Sequence, residues 1–191
     1  MDYLVRHSLI VPTKLGPFRI QCSSRGISRI VFPGFGGARF RATAKCPPPP
    51  SFIRTCARQL RQYAAGKRVR WTVPLDLSAG TAFQQAVWRA LKTIPRGQTR
   101  SYGWVARKIG RPGASRAVGA ACGANPVPVV VPCHRVIAGD GSIGGFGGGL
   151  FMKRRLLALE CRGALTKPVV RRSPDPALTR IMETGAEHRF C

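Results

Sequence analysis

Acidic side chains are the scarcest chemical resource in this chain: 191 residues hold 7 Asp+Glu against 32 Lys+Arg, a formal charge of +25. Few carboxylates are left to act as acids, bases or orienting groups. Between residues 81 and 165 only Asp140 and Glu160 occur, and His134 is the single histidine. No apolar run reaches the ~18 residues of a membrane-spanning helix, so no membrane span is expected. None of the seven cysteines (Cys22, Cys46, Cys56, Cys122, Cys133, Cys161 and Cys191) pairs in C-x-x-C spacing, and their number is odd. Residues 1–15 carry Asp2, Arg6 and Lys14 and lack a small-residue cleavage site, so they do not read as a secretion signal. These absences predict a reduced, intracellular protein, in the cytoplasm or in the nucleus of a eukaryote. Cys22, Cys46, Cys56 and His7 are zinc-ligand types, but their irregular spacing argues against a site, and no metal is assigned.

A field of +25 draws polyanions. Nucleic acid is the first candidate partner and an anionic membrane surface the second. The excess is spread out, at +12 over residues 1–80, +11 over 81–165 and +2 over the last 26 residues. With no single basic stripe, a generally basic background also fits, and charge alone does not decide.

Apolar content of 44% and this length suit one domain or two small ones. Leu9–Val11, Phe18–Ile20 and the alternating run Ile27–Phe32 predict short strands. Pro47–Pro50 break the chain, and Ile53, Ala57, Leu60 and Ala64 predict one face of a helix over 52–65. A short strand is expected near Val69–Val73, and Pro74–Gly80 reads as a linker. Thr81 can cap a helix to about Thr93, with Phe83, Val87 and Leu91 in one stripe and Trp88 beside it. Ser101 caps a short helix through Ile109, ended by Gly110. Pro112 then opens a third helix over Gly113–Ala124, closed by Asn125-Pro126. Two short helices around a tight turn suggest a helix-turn-helix. The third helix is built of small residues with Arg116 as its one long arm. It fits either close approach to another surface or tight helix packing with Arg116 in solvent. Gly139-Asp140-Gly141 is a turn that Asp140 serves. Gly144–Gly149 is a flexible loop around Phe146, not a phosphate loop, since no G-K-[ST] follows. A last helix is expected over Leu150–Leu159.

Pro132-Cys133-His134-Arg135-Val136 carries the chemistry. A cysteine followed by a histidine holds a soft nucleophile and a proton acceptor in one place, and Arg135 adds fixed positive charge that favours a thiolate. Taken alone, the pair also fits a buried structural Cys beside a surface His. Glu160 ends an apolar helical run, where a carboxylate opposes the helix dipole and calls for a partner. Cys133, His134 and Glu160 match the roles of nucleophile, base and orienting group, with a water relaying the proton between the two neighbours.

These residues, in order with Gly80-Thr81-Ala82-Phe83-Gln84, Val87-Trp88, Ile94-Pro95-Arg96-Gly97, Ser101-Tyr102, Arg116-Ala117-Val118-Gly119, Asn125-Pro126, the Gly-Phe-Gly-Gly loop and Lys153…Leu156-Leu157…Glu160, resemble the O6-alkylguanine-DNA alkyltransferases. The resemblance is dense over about residues 75–163 and loose over 1–74. It implies an α+β fold: a small N-terminal α/β domain of ribonuclease H-like type at 1–78, a mainly helical, winged helix-turn-helix-like domain at 79–165, and a flexible tail at 166–191. It implies stoichiometric repair, in which an alkyl group on O6 of guanine passes to Cys133 after base flipping, and it leaves O4 of thymine open as a second substrate. No cofactor is needed, since the damage is the donor. The partner is double-stranded DNA carrying O6-alkylguanine, bound by a monomer.

The resemblance also assigns roles. Cys133 accepts the alkyl group, His134 is the base through water, Glu160 orients it, and Asn125 joins the DNA-binding helices to the site. Tyr102 presses on the target phosphate and donates to the base, and Arg116 fills the gap left by the flipped nucleotide. The carbonyls of Cys133 and Val136 read the guanine amino group, Gly147 N–H faces the leaving oxygen, and Phe146 stacks on the base. Ser101, Ala117 and Arg135 are expected among the DNA- and substrate-binding residues. Phe146 stands where the family often has Tyr, and Cys122 reads as an apolar filler. A lesion-binding protein without transfer and a cysteine hydrolase using Cys133 and His134 are the rival readings.

Overall fold

The computed structural model describes residues 7–34 and 50–162, with the side chain of residue 162 excluded. Cys46, most of the Pro47–Pro50 break and residues 166–191 lie outside the described residues. These divide into two compact units: 7–34, 50–79 and 126–130 in one, and 80–125 and 131–162 in the other. A linear division at residue 78 does not foresee the return of 126–130 to the first unit.

In the first unit, β1 (His7–Val11), β2 (Phe18–Cys22) and β3 (Ile27–Val31) form an antiparallel meander. Leu9 pairs with Ile20 and Ile20 with Ile30, and the register shifts at Gln21/Cys22. Period-two alternation buries Phe18, Ile20 and Cys22 on one face. Helix α1 (Ser51–Ala64) packs on this sheet through Ile53, Ala57, Leu60 and Ala64, the face its spacing predicts. The expected strand at 69–73 does not form; only Leu75 bridges to Ile27. The buried Gln59 amide explains this. Its Nε2 donates to Arg70 O (3.0 Å) and Thr72 Oγ1 (2.8 Å), filling the place of a neighbouring strand. Gly26 lets this segment approach, since a Cβ there would stand 2.6 Å from Pro74 O. Pro126 O accepts from Ile30 N at 2.8 Å, which fixes the returning segment. Within it the apolar run turns, with Val129 at φ +74°, the one positive-φ non-glycine among the described residues. A β-branched residue there is strained by about 1–3 kcal/mol.

In the second unit, α2 (Ala82–Leu91) starts on a capping box. Thr81 Oγ1 accepts from Gln84 N, and Thr81 N donates to Gln84 Oε1. Val87, Trp88 and Leu91 are buried, and Trp88 Nε1 donates to Ala121 O at 2.9 Å. Helix α3 (Tyr102–Lys108) is capped by Ser101 and ends at Gly110, φ +70°. Helix α4 (Ser115–Gly123) begins two residues later than the sequence predicts, because Gly113 sits at φ +89° and cannot be helical. Helices α2, α3 and α4 pack on one another. Two strands were not foreseen: β4 (Arg100–Ser101) and β5 (Val136–Ile137) form a parallel pair. Two residues are too few to show a period. Between α4 and β5 a single 3-10 turn spans Cys133–Arg135, and α5 (Gly149–Arg162), longer than expected at both ends, packs on it. The chain is thus α+β. Among the described residues no helix is long and apolar enough to cross a membrane.

Candidate active site

The Pro-Cys-His-Arg sequence folds as a tight turn because proline opens it and two local bonds close it. Cys133 N donates to Val131 O at 2.9 Å and Arg135 N to Pro132 O at 3.0 Å. All three turn residues are buried, and His134 is wholly so. The buried Cys of the alternative reading is present; its surface His is not.

Glu160, 1% exposed, finds the partner its position calls for. Its Oε1 lies 2.9 Å from His134 Nε2 and 2.8 Å from Arg135 Nη2; its Oε2 accepts from Arg135 Nε at 2.8 Å and from Gly97 N at 3.2 Å. Arg96 Nη2 also reaches Leu159 O, so the Pro95-Arg96-Gly97 turn places a cation and an N–H donor against the end of α5. Burial alone would raise the Glu160 carboxyl, but the bonds from His134 and Arg135 and their charges hold it well below its ordinary range. It is therefore a carboxylate and can only accept, so His134 Nε2 is the donor and Nδ1 carries the lone pair. Burial lowers the His134 pKa, and with the Arg135 and Lys153 charges it outweighs the raising by Glu160. His134 is a neutral base of fixed tautomer.

Cys133 departs from expectation. Burial pushes its thiol up to about 11, against the lowering by the Asn125 amide, the Lys153 charge and backbone N–H groups. The resting sulfur is a thiol, not the ready thiolate that Arg135 was expected to favour, because Arg135 is spent elsewhere. Its Nε and Nη2 bind Glu160 and its Nη1 donates to Ile94 O at 2.6 Å. Arg135 thus holds Glu160 in place at rest. Ser101 is buried, and its hydroxyl accepts from Trp104 N at 3.1 Å as the cap of α3.

Asn125 follows α4 directly, and its Nδ2 donates both to Val131 O (2.8 Å) and to Cys133 Sγ (3.1 Å). One amide thereby ties the end of α4 to the sulfur. Tyr102 opens α3 and lies between two glycines: a Cβ at Gly119 would stand 3.8 Å from its ring, and one at Gly144 3.1 Å from its hydroxyl. Gly144 also sits at φ +65°, so both space and backbone require glycine. Burial, with Cys122 and Cys133 nearby, pushes the Tyr102 phenol up to about 12, which keeps its proton on. Arg116 and Ala117 are exposed on α4, as are Ala120 and Ala124. Phe146 is half-buried and Gly147 exposed, with Gly123 O 3.7 Å from where a Gly147 Cβ would stand. Asp140 Oδ1 accepts from Ser142 N at 2.9 Å and so serves its turn. Cys122 is half-buried; burial pushes it up to about 12.

Sequence reasoning gave Lys153 no role, yet it is fully buried. Its Nζ donates to Val136 O at 2.7 Å, to Ile143 O, and to Gly145 O at 3.3 Å. The signal was present: 153, 156, 157 and 160 lie at helical spacing on one face, so a lysine shares the buried stripe of Leu156, Leu157 and Glu160. Among the described residues no group of three or more His, Cys, Asp or Glu is placed to hold a metal ion.

The family model of the 6-O-methylguanine DNA methyltransferase DNA-binding domain matches residues 82–162. A methylated-DNA–protein-cysteine methyltransferase of Mycobacterium tuberculosis is 54% identical over 113 residues, covering 59% of this chain and 68% of its own. One from Methanosarcina acetivorans is 40% identical over 151 residues, covering 79% and 96%. The crystal structure of Mycobacterium tuberculosis OGT in complex with DNA is similar with a TM-score of 0.70 and 41% identity, over 82% of this chain and 94% of that one.

Proposed function

Because the chain belongs to the methylated-DNA–protein-cysteine methyltransferase family, we propose that it repairs DNA by moving an alkyl group from O6 of guanine in a duplex to Cys133, once per molecule. The observation that carries this reading is a pair of hydrogen bonds, Asn125 Nδ2–Cys133 Sγ (3.1 Å) and His134 Nε2–Glu160 Oε1 (2.9 Å), on two residues adjacent in one turn.

A stacked base offers no line of attack, so the nucleotide is flipped at a cost of a few kcal/mol. Helix α4 lies in the minor groove, where its exposed Ala117, Ala120 and Ala124 permit close approach. Arg116 enters the stack and offsets part of the cost. Tyr102 presses on the phosphate. Phe146 stacks on the extruded base, and the Cys133 and Val136 carbonyls accept from its amino group. The Cys133 proton passes through water to His134 Nδ1, and Glu160 stabilises the imidazolium. Sγ attacks the alkyl carbon, the C–O6 bond breaks, and its electron pair leaves on guanine. Gly147 N–H faces that oxygen, and Tyr102 O–H supplies the proton that guanine takes up, which His134 replaces. A thiol of pKa about 11 suits an acceptor used once, since it stays unreactive until the base arrives.

The same reading takes the first unit as a ribonuclease H-like domain and the second as a winged helix-turn-helix, with α3 and α4 as its two helices. The protein acts as an intracellular monomer. The test is incubation with duplex O6-methylguanine followed by mass spectrometry. One methyl on Cys133, and no more than one turnover, is expected. An unmodified Cys133 with intact substrate, or repeated turnover, would overturn the proposal.

A further inference from the structure

Along the chain the cations are spread out, but the fold of the first unit gathers some of them. On α1, Arg54, Arg58 and Arg61 stand at i, i+4 and i+7, so they share one exposed ridge. The helix ends before Gly66, at φ +83°, where Gly66 N donates to Tyr63 O (2.8 Å) and Lys67 N to Gln62 O (3.0 Å). This cap turns the chain back along α1. Gln59 Nε2 holds it there through Arg70 O and Thr72 Oγ1, and Trp71 packs on Tyr63 with ring centroids 6.1 Å apart. The returning segment carries Arg68 and Arg70, both exposed.

Nothing in the ridge serves the helix itself. Like charges at i, i+4 oppose a helix, and α1 has no carboxylate and no side-chain cap at its start. A merely solvated helix face mixes the two signs. Among its described residues the first unit holds one carboxylate, Asp76, and Ser23, Ser78 and Arg25 bind it. It is not left for Arg58, Arg61, Arg68 and Arg70, and a surface of one sign recruits its anion from outside.

A membrane and a nucleic acid are the polyanions to weigh, and the packing of α1 separates them. A helix that lies on a membrane turns its apolar side outward. The apolar side of α1, with Ile53 and Leu60 at its centre, is buried on the sheet. The exposed large apolar residues among those described, Ile10, Leu150 and Phe151, lie on other elements. Arginine also suits phosphate, since its planar fork bonds two oxygens of one group. At about 1.5 Å per residue α1 is roughly 21 Å long, about the axial length of six base pairs.

We propose that the arginine ridge of α1, with Arg68 and Arg70, is a second binding surface for the phosphate backbone of duplex DNA. It belongs to the first unit, whereas Cys133 and α4 belong to the other. It reads charge and not sequence, so it holds undamaged duplex as well as damaged. It does not depend on Cys133 being the alkyl acceptor.

Each phosphate contact adds about 0.9 to the slope of log affinity against log salt. The test compares the full wild-type chain with Arg58→Gln/Arg61→Gln/Arg68→Gln, its fold checked by circular dichroism. An equal-charge control, Arg29→Gln/Arg89→Gln/Arg154→Gln, removes exposed cations scattered over β3, α2 and α5. Affinity for undamaged duplex is titrated by anisotropy between about 50 and 200 mM salt. The ridge variant is expected to show a slope about two units flatter than the control, and a difference below about one unit overturns the proposal. Single-turnover transfer at saturating O6-methylguanine duplex is expected within about twofold of wild type; a larger loss places these arginines in the transfer step and overturns it. Binding to phosphatidylserine vesicles that the ridge variant loses, with its DNA slope unmoved, overturns it in favour of a membrane. Should the variant not fold, phenylglyoxal modification of the wild-type arginines decides. Undamaged duplex is expected to shield Arg58, Arg61 and Arg68, read by peptide mass, and unshielded arginines overturn the proposal. A wild type that moves no methyl refutes the acceptor reading instead, while the titrations on undamaged duplex still report the ridge.

Discussion

Replacing Glu160 with Gln removes one charge and changes almost no volume, so its effect isolates what the carboxylate does. Glu160 accepts from His134 Nε2, Arg135 Nε, Arg135 Nη2 and Gly97 N. An amide keeps one acceptor oxygen and turns an NH2 group toward one of these donors. The Arg135 charge is then buried without its partner, and breaking a buried pair in this way costs about 3–5 kcal/mol. For a chain of this size that lowers the melting temperature by roughly 6–20 °C. Transfer suffers separately. The Gln oxygen still holds the His134 ring, but no negative charge stabilises the imidazolium formed when the Cys133 proton arrives, so the rate falls about 10²- to 10⁴-fold. Two measurements test this: thermal unfolding by circular dichroism, and single-turnover transfer from duplex O6-methylguanine. A third removes the orphaned charge. Adding Arg135→Met to Glu160→Gln is expected to recover at least half of the lost stability while transfer stays slow. Linkage gives a further check. The folded Glu160 carboxyl lies well below its ordinary 4.5, so its contribution is complete above that pH and is lost as pH falls below it. Glu160→Gln abolishes that part of the acid limb. A variant that melts within about 2 °C of wild type and transfers at the normal rate would refute the account of the cluster.

Asn125→Ala deletes the Nδ2 donor to Val131 O and to Cys133 Sγ; a bond to a charged group is worth about 1.5–3 kcal/mol, so single-turnover transfer is expected to slow about 10- to 100-fold. Arg116→Ala removes the one long side chain of α4, and the expected result is slow repair in duplex with near-normal transfer from the free base, followed by product mass. With a formal charge of +25, affinity for undamaged duplex is expected to drop at least about tenfold between 50 and 200 mM salt in a filter-binding or anisotropy titration.

The capped and striped elements were legible in order of residues alone. Thr81 with Gln84, Ser101 before Tyr102, and Ile53, Ala57, Leu60 and Ala64 each state a local rule, a cap or a period, that the chain obeys without help from distant residues. So was the chemistry of Cys133 and His134, which are neighbours whatever the fold. The misses share one cause. Val69–Val73 looks like a strand until the Gln59 side chain, coming from α1, takes its backbone groups. Gly113 reads as a helix start until its positive φ excludes it. The strands β4 and β5 are two residues each and exist only as partners of one another.

The ordering of residues by itself settled which groups are available for reaction: one histidine next to one cysteine, and two carboxylates, between residues 81 and 165 of a chain charged for polyanions. Only tertiary structure decided what each group is doing at rest. Arg135 is a clamp on Glu160, Lys153 is a buried cation aimed at carbonyls, and Cys133 keeps its proton. Protonation and pairing depend on burial and on the few ångströms between side chains far apart in the chain. Such distances are set by packing, and no local pattern of residues contains them.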